Sequence, residues 1–174
     1  MTFLSRLTFS IPILLPLVMG AAGNVTTAMA AEGPGGLGVA DKGDEAGIRS
    51  TMAAYNAALN AGKTADVLPL YTEDGVFMAP YSDSSIGIDA VRAAYDRVFR
   101  ELAFNVKFTI NELVQLSPDY AYVRTHSSGT THHASTGKTT SEANQELFIL
   151  RKGADGRWRI ARYSFSPIDP PIGG

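Results

Sequence analysis

Polar groups with chemical potential fall at alternate positions of three strand-forming runs: Arg124 and His126 in the first, Asn144 and Glu146 in the second, Arg162 and Ser164 in the third. Side chains two residues apart share a strand face, so each run offers a pair of them to one surface. Imidazole titrates near neutrality, which makes His126 the candidate acid–base group, with Asn144 as the partner that would orient it. A histidine simply hydrogen-bonded within a strand is the plain alternative. Arg124 and Arg162 are candidate anchors for an anionic or carbonyl-bearing ligand, with Glu146 between them; the same three residues read equally well as a cross-strand ion network that only sets register. Held between two cations, Glu146 would be an ionised and weak proton acceptor.

Aromatic residues supply the second set. Tyr55, Tyr71, Phe77, Met78 and Tyr81 are candidates for the helical wall of a cavity, and Tyr55, in the middle of an apolar helix stripe, is the candidate phenol for a substrate carbonyl. Trp158, with Tyr122, Phe148, Leu150 and Ile160, would make the apolar end of the strand face. Asp74 beside Gly75 reads as a turn-former. The histidines do not suit a metal: His126 and His132 sit roughly 20 Å apart along one strand, and His133 points to the other face. The chain has no cysteine, which excludes disulfides, thiolate metal sites and a cysteine nucleophile.

These residues need elements to hold them. Ile48, Met52, Tyr55 and Leu59 recur at helical spacing, with Asp44 as the expected cap and Gly62 as the stop. Thr64 opens a second helix that Pro69 must shorten or tighten. A short strand is expected at 76–78, then a third helix from Asp89 with Val91, Tyr95, Val98, Phe99 and Leu102 on one stripe. From Phe104 the period becomes two, and Glu112 breaks the alternation, as a bulge would. Turns at 117–119, 135–138 and 153–156 divide the remainder into three more strands. Helices first and a four-strand antiparallel meander after them predict an α+β fold, a curved antiparallel sheet with three N-terminal helices on one face.

The register follows if the hairpin is centred on Ser135. Tyr122 then faces Phe148, Arg124 faces Glu146 and His126 faces Asn144; in the next hairpin Leu150 faces Trp158, Phe148 faces Ile160, Glu146 faces Arg162 and Asn144 faces Ser164. Apolar meets apolar and charge meets opposite charge, which writes a pocket greasy at one end and polar at the other. The opposite face, with Leu147, Ile149, Tyr163 and Phe165 among polar residues, is partly apolar and calls for a cover, so a homodimer through it is expected.

Residues 1–30 read as a signal peptide: Arg6, an apolar run from Leu7 to Val18 broken by two prolines, and Ala28-Met29-Ala30 as the cleavage pattern. Residues 31–43 read as a glycine-rich linker, 44–167 as the domain and 168–174 as a proline- and glycine-rich tail. The expected location is therefore periplasmic or secreted, with no membrane contact after cleavage. A formal net charge of −2 argues against a nucleic-acid partner.

The order of elements resembles the SnoaL-like polyketide cyclases of the nuclear transport factor 2-like superfamily, on Tyr71-Thr72-Glu73-Asp74-Gly75-Val76-Phe77, on Gly87-Ile88-Asp89-Ala90-Val91, and on Gly156-Arg157-Trp158-Arg159-Ile160 with Arg162-Tyr163-Ser164-Phe165. The resemblance implies a cone-shaped α+β barrel around a small-molecule pocket, used across the superfamily by isomerases, dehydratases and cyclases and by inert binding modules. The function expected is a lyase- or isomerase-type proton transfer on a small hydrophobic or carbonyl-bearing ligand, which needs no cofactor; the alternative is a non-catalytic dimeric ligand-binding or interaction module.

Overall fold

The computed structural model describes residues 41–168. The expected signal peptide, all but the last three residues of the expected linker, and most of the tail lie outside them. Helix α1 spans Lys42–Ala61 and is capped one turn earlier than expected: Asp41, not Asp44, accepts from the Gly43 amide at 3.1 Å, so the end of the supposed linker is helical. Gly62 ends it in the left-handed conformation, φ 64°. Helix α2, Thr64–Val67, runs into a 3-10 turn at Leu68–Leu70, the tightening Pro69 imposes.

Strand β1, Tyr71–Met78, is longer than the three residues expected, and β2 is the short pair Ser85–Ile86. Helix α3 is Ile88–Glu101, followed by β3 Leu102–Gln115, β4 Tyr120–His133, β5 Lys138–Lys152 and β6 Trp158–Pro167. The meander β3 to β6 is antiparallel as expected, with a bulge between Ile110 and Glu112. The sequence did not announce the parallel pairing of β1 with β6, which makes a six-stranded mixed sheet in the order β2-β1-β6-β5-β4-β3. This sheet is open rather than a closed barrel. Its irregular join between Tyr71 and Val76 depends on Gly75, where an added Cβ would meet the Thr72 carbonyl and the Tyr71 ring, each at 2.8 Å.

The register differs from the one expected. Gly137 takes the left-handed position, φ 67°, and closes a four-residue turn between His133 and Lys138. An even-numbered turn has its centre between two residues, so pairing shifts by one: Val123 faces Phe148, Thr125 faces Glu146 and Ser127 faces Asn144. One step turns every side chain of β4 over. In the next hairpin Leu150 pairs with Ile160 and Phe148 with Tyr163, which leaves Ala161 as an extra residue. Trp158 and Ile160 point inward before that bulge, Tyr163 and Phe165 after it, and Arg162 and Ser164 go to the outer face.

The concave face of the sheet packs on α1 and α3 through Ile48, Met52, Tyr55, Val91, Tyr95, Phe148, Leu150 and Ile160, all buried. Their removal from water is the main force holding helices to sheet. At one end Asp44 accepts from Trp158 Nε1 at 3.1 Å and Gln115 Nε2 at 3.0 Å and pairs with Lys152 at 2.5 Å, tying α1 to β3, β5 and β6.

Candidate functional site

A cavity of about 170 Å³ lies between α1, α3 and the concave face. Seven aromatic rings line it: Tyr55 from α1, Tyr95 from α3, Phe77 from β1, Phe104 and Phe108 from β3, Tyr163 and Phe165 from β6. Strand alternation brings the three polar residues of the lining, Ser127 of β4 and Glu142 and Asn144 of β5, onto the same inner face.

The phenols form a chain. Tyr95 OH lies 2.7 Å from Tyr55 OH and 3.0 Å from Tyr71 OH. Three hydroxyls carry three protons and make two bonds among themselves, so one O–H is left to donate elsewhere. Tyr55 and Tyr95 of this chain line the cavity, as does Tyr163, which adds a fourth hydroxyl beside Tyr55. Burial pushes the pKa of Tyr55 up, against the hydrogen bonding of Tyr95 and Tyr163, and burial raises Tyr71, Tyr95 and Tyr163 as well. All four are therefore neutral donors at ordinary pH.

The polar strip is also a chain. Thr131 Oγ1 donates to Glu142 Oε2; Asn144 Nδ2 donates to Glu142 Oε1 at 2.9 Å and reaches Ser127 Oγ at 3.5 Å. Ser127 and Thr125 then donate to the two oxygens of Glu146, each at 2.5 Å. Glu146 is only 4% exposed. Burial is the main cause that raises its pKa, opposed by the two hydroxyls. It is not held between two guanidinium groups, as the expected register required.

Of the residues singled out in the sequence, Tyr55, Phe77 and Asn144 line the cavity and Glu146 lies directly behind Ser127. Tyr71 is buried beneath, at the far end of the phenol chain. Trp158 is buried and held by Asp44, and does not line the cavity. The one-residue shift puts His126 and Arg124 on the outer face: His126 Nδ1 sits 3.1 Å from Asn111 Oδ1, and Arg124 pairs with Glu112 at 3.1 Å. The bulge at Ala161 does the same to Arg162, which donates to the carbonyls of Asp74 and Ala161, and to Ser164, which lines an outer groove with Arg124 and Leu147. Tyr81 is fully exposed on the β1–β2 loop. Sequence reasoning missed Ser127, Glu142, Tyr163 and Phe165. The even turn length would have placed Ser127 and the bulge Tyr163 and Phe165, whereas Glu142 already shared the face of Asn144 and Glu146.

The family model of the SnoaL-like domain matches residues 52–161. Among solved structures, a ketosteroid isomerase-like protein from Erwinia carotovora atroseptica is 41% identical, with a TM-score of 0.69 over 72% of this chain and 96% of its own. A conserved protein from Planctomyces limnophilus is 26% identical, with a TM-score of 0.64 over 72% and 98%. An NTF2-like protein with a cystatin-like fold from Novosphingobium aromaticivorans, 20% identical over 74% and 84%, has a TM-score of 0.56 and shares the fold. No curated protein matches.

Proposed function

Because the chain belongs to the SnoaL-like domain family, we propose that its cavity takes a small, largely apolar carbonyl compound and moves a proton on it, as an isomerase or lyase does. One observation carries this reading: a phenol cluster that reaches the cavity through Tyr55, Tyr95 and Tyr163, with more protons than bonds among its own hydroxyls, and a carboxylate at Glu142 line the same aromatic-walled cavity. Tyr55 donates to the carbonyl oxygen, and the negative charge that develops there is stabilised by a fixed donor in a site poor in water. Glu142, held by Thr131 and Asn144, takes the proton from the carbon next to the carbonyl and returns it elsewhere on the molecule. The description of the Erwinia protein as ketosteroid isomerase-like supports this chemistry. His126, on the outer face, has no part in it.

The experiment is hydrogen exchange. A library of carbonyl compounds is incubated with the protein in D₂O, and deuterium uptake next to the carbonyl is followed by mass spectrometry beside ligand-induced thermal shifts. Uptake that falls at least ~100-fold in Glu142→Gln and in Tyr55→Phe is the expected result. Thermal shifts without uptake would leave a binding protein; neither signal across the library would overturn the reading.

We propose further that residues 1–30 direct export and are removed, and that the outer sheet face pairs two copies. The apolar run with its Ala-Met-Ala end supports the first, and Leu147, 44% exposed among Tyr122 and Ile149, supports the second. N-terminal sequencing of exported protein tests one, light scattering of wild type and Leu147→Glu the other.

A further inference from the structure

We propose that the occupant of the cavity is a single planar ring with a carbonyl at one edge and a hydrogen-bond donor, most simply a hydroxyl, at the other: a hydroxyaryl carbonyl compound. The proposal rests on the carbonyl reading above and adds what the cavity's hydrogen-bond inventory and ring geometry demand.

Every donor of the polar strip is committed inward. Asn144 spends its amide hydrogens on Glu142 Oε1 and Ser127 Oγ. Its orientation is fixed by chemistry, since a carboxylate accepts only and must face the amide nitrogen. Ser127 spends its hydroxyl on Glu146, and Thr131 spends its own on Glu142. With Glu142 engaged at the carbon beside the carbonyl, what the strip offers the other edge is acceptors: the Asn144 carbonyl oxygen and a lone pair of Ser127. A ligand with only a carbonyl leaves these facing apolar atoms, which is costly in a desolvated site. A ligand that also donates satisfies both edges, acceptor toward Tyr55 and donor toward the strip.

The walls select the shape. Phe77 lies near-parallel to Tyr95, at 5.0 Å and 21°, to Tyr163, at 5.5 Å and 19°, and to Phe165, at 6.2 Å and 14°. All four rings line the cavity, so a flat π-system can join the array in an offset stack, an arrangement a puckered saturated ring cannot copy. At about 170 Å³ the space is smaller than the usual ligand pocket of about 300–1,000 Å³, which favours one ring over a fused polycycle.

Three probes separate these statements: 4-hydroxyacetophenone, acetophenone and cyclohexyl methyl ketone, titrated into the full-length protein with ligand protons observed by NMR. The expected order of affinity is 4-hydroxyacetophenone at least ~10-fold tighter than acetophenone, with cyclohexyl methyl ketone weakest and the aryl protons moved upfield by the stacked rings. Ser127→Ala, which deletes one of the two acceptors, should remove part of the gain from the hydroxyl and leave acetophenone unchanged. Phe77→Leu should reduce the preference for acetophenone over its saturated analogue. If the three bind equally, the proposal fails while the carbonyl reading stands; if none binds up to its solubility limit, both fail.

Discussion

Asn60 of α1 replaces a missing strand beside Val106. Its Oδ1 accepts from the Val106 amide at 3.0 Å and its Nδ2 donates to the Val106 carbonyl at 2.8 Å, while Asn56, one helical turn earlier, bonds the same carbonyl at 2.9 Å and the Phe108 amide at 3.3 Å. Strand β3 is the edge of the sheet. Its outward backbone groups here are covered by the helix that packs over it, which guards the edge against pairing with another chain. Val106 and Phe108 line the cavity, so these two asparagines also set where that wall stands.

Asn60→Ala should lower stability by about 1–3 kcal/mol, because it strips the Val106 amide of its partner and leaves the carbonyl to Asn56 alone. Denaturant unfolding measures the loss, and hydrogen exchange should show the Val106 amide protected in the wild type and fast in the variant. Unchanged exchange at Val106 would mean the asparagine does not hold the edge.

Asp44 binds its partners as a carboxylate. The Lys152 ammonium is the largest cause that holds its pKa below the ordinary 3.8, with Gln115 and Trp158 helping. A pKa lowered by folding gives stability that is present above the unfolded value and lost as pH falls through the folded one. Below about pH 4 the wild type should therefore lose the advantage it holds over Asp44→Asn at neutral pH. A gap between the two that stays constant down to pH 2 would refute this role of the carboxylate.

Glu146 runs the other way. Burial raises its pKa above the ordinary 4.5, so the folded chain holds this proton to higher pH than the unfolded chain does. Stability linked to the group is complete below 4.5 and falls as pH rises through the folded value. Unfolding of wild type and Glu146→Gln, compared across a pH series, should show the variant gaining on the wild type through that window. A difference independent of pH would mean that Glu146 ionises alike in both states.

Helices were legible because a 3.6-residue stripe survives errors of one or two residues: Ile48, Met52, Tyr55 and Leu59 are buried as their periodicity marks, and so are Val91 and Tyr95, while Val98 and Phe99 are half-buried and Leu102 already belongs to β3. The strands of the meander were legible for the same reason, and the family resemblance is confirmed by the match over residues 52–161. Facing within the strands was not. Charge pairing favoured Arg124 opposite Glu146, yet the fold places Thr125 there, because two short hydroxyl bonds and burial suit a carboxyl that sits among aromatic rings. Turn parity at Gly137 and a single bulged alanine decided which side chains reach the cavity, and neither leaves a periodic trace in sequence. The parallel join of β1 to β6 is a long-range pairing that local pattern does not contain.

The two faces make different demands, and mutation reads them apart. Arg124 and Glu112 pair in solvent, with side chains 57% and 41% exposed. Exposed pairs contribute little, so Arg124→Ala should change stability by less than about 1 kcal/mol and leave probe binding untouched. Phe148 is fully buried and stacks on Tyr163 at 4.1 Å and 4°. Phe148→Ala should cost about 3–5 kcal/mol and weaken binding through the loosened Tyr163. Had Arg124 faced the ligand, its removal would cut affinity while stability held. Calorimetric titration of 4-hydroxyacetophenone into both variants, beside their unfolding curves, decides between the two registers, and reduced affinity in Arg124→Ala at unchanged stability would restore the one the charges suggested.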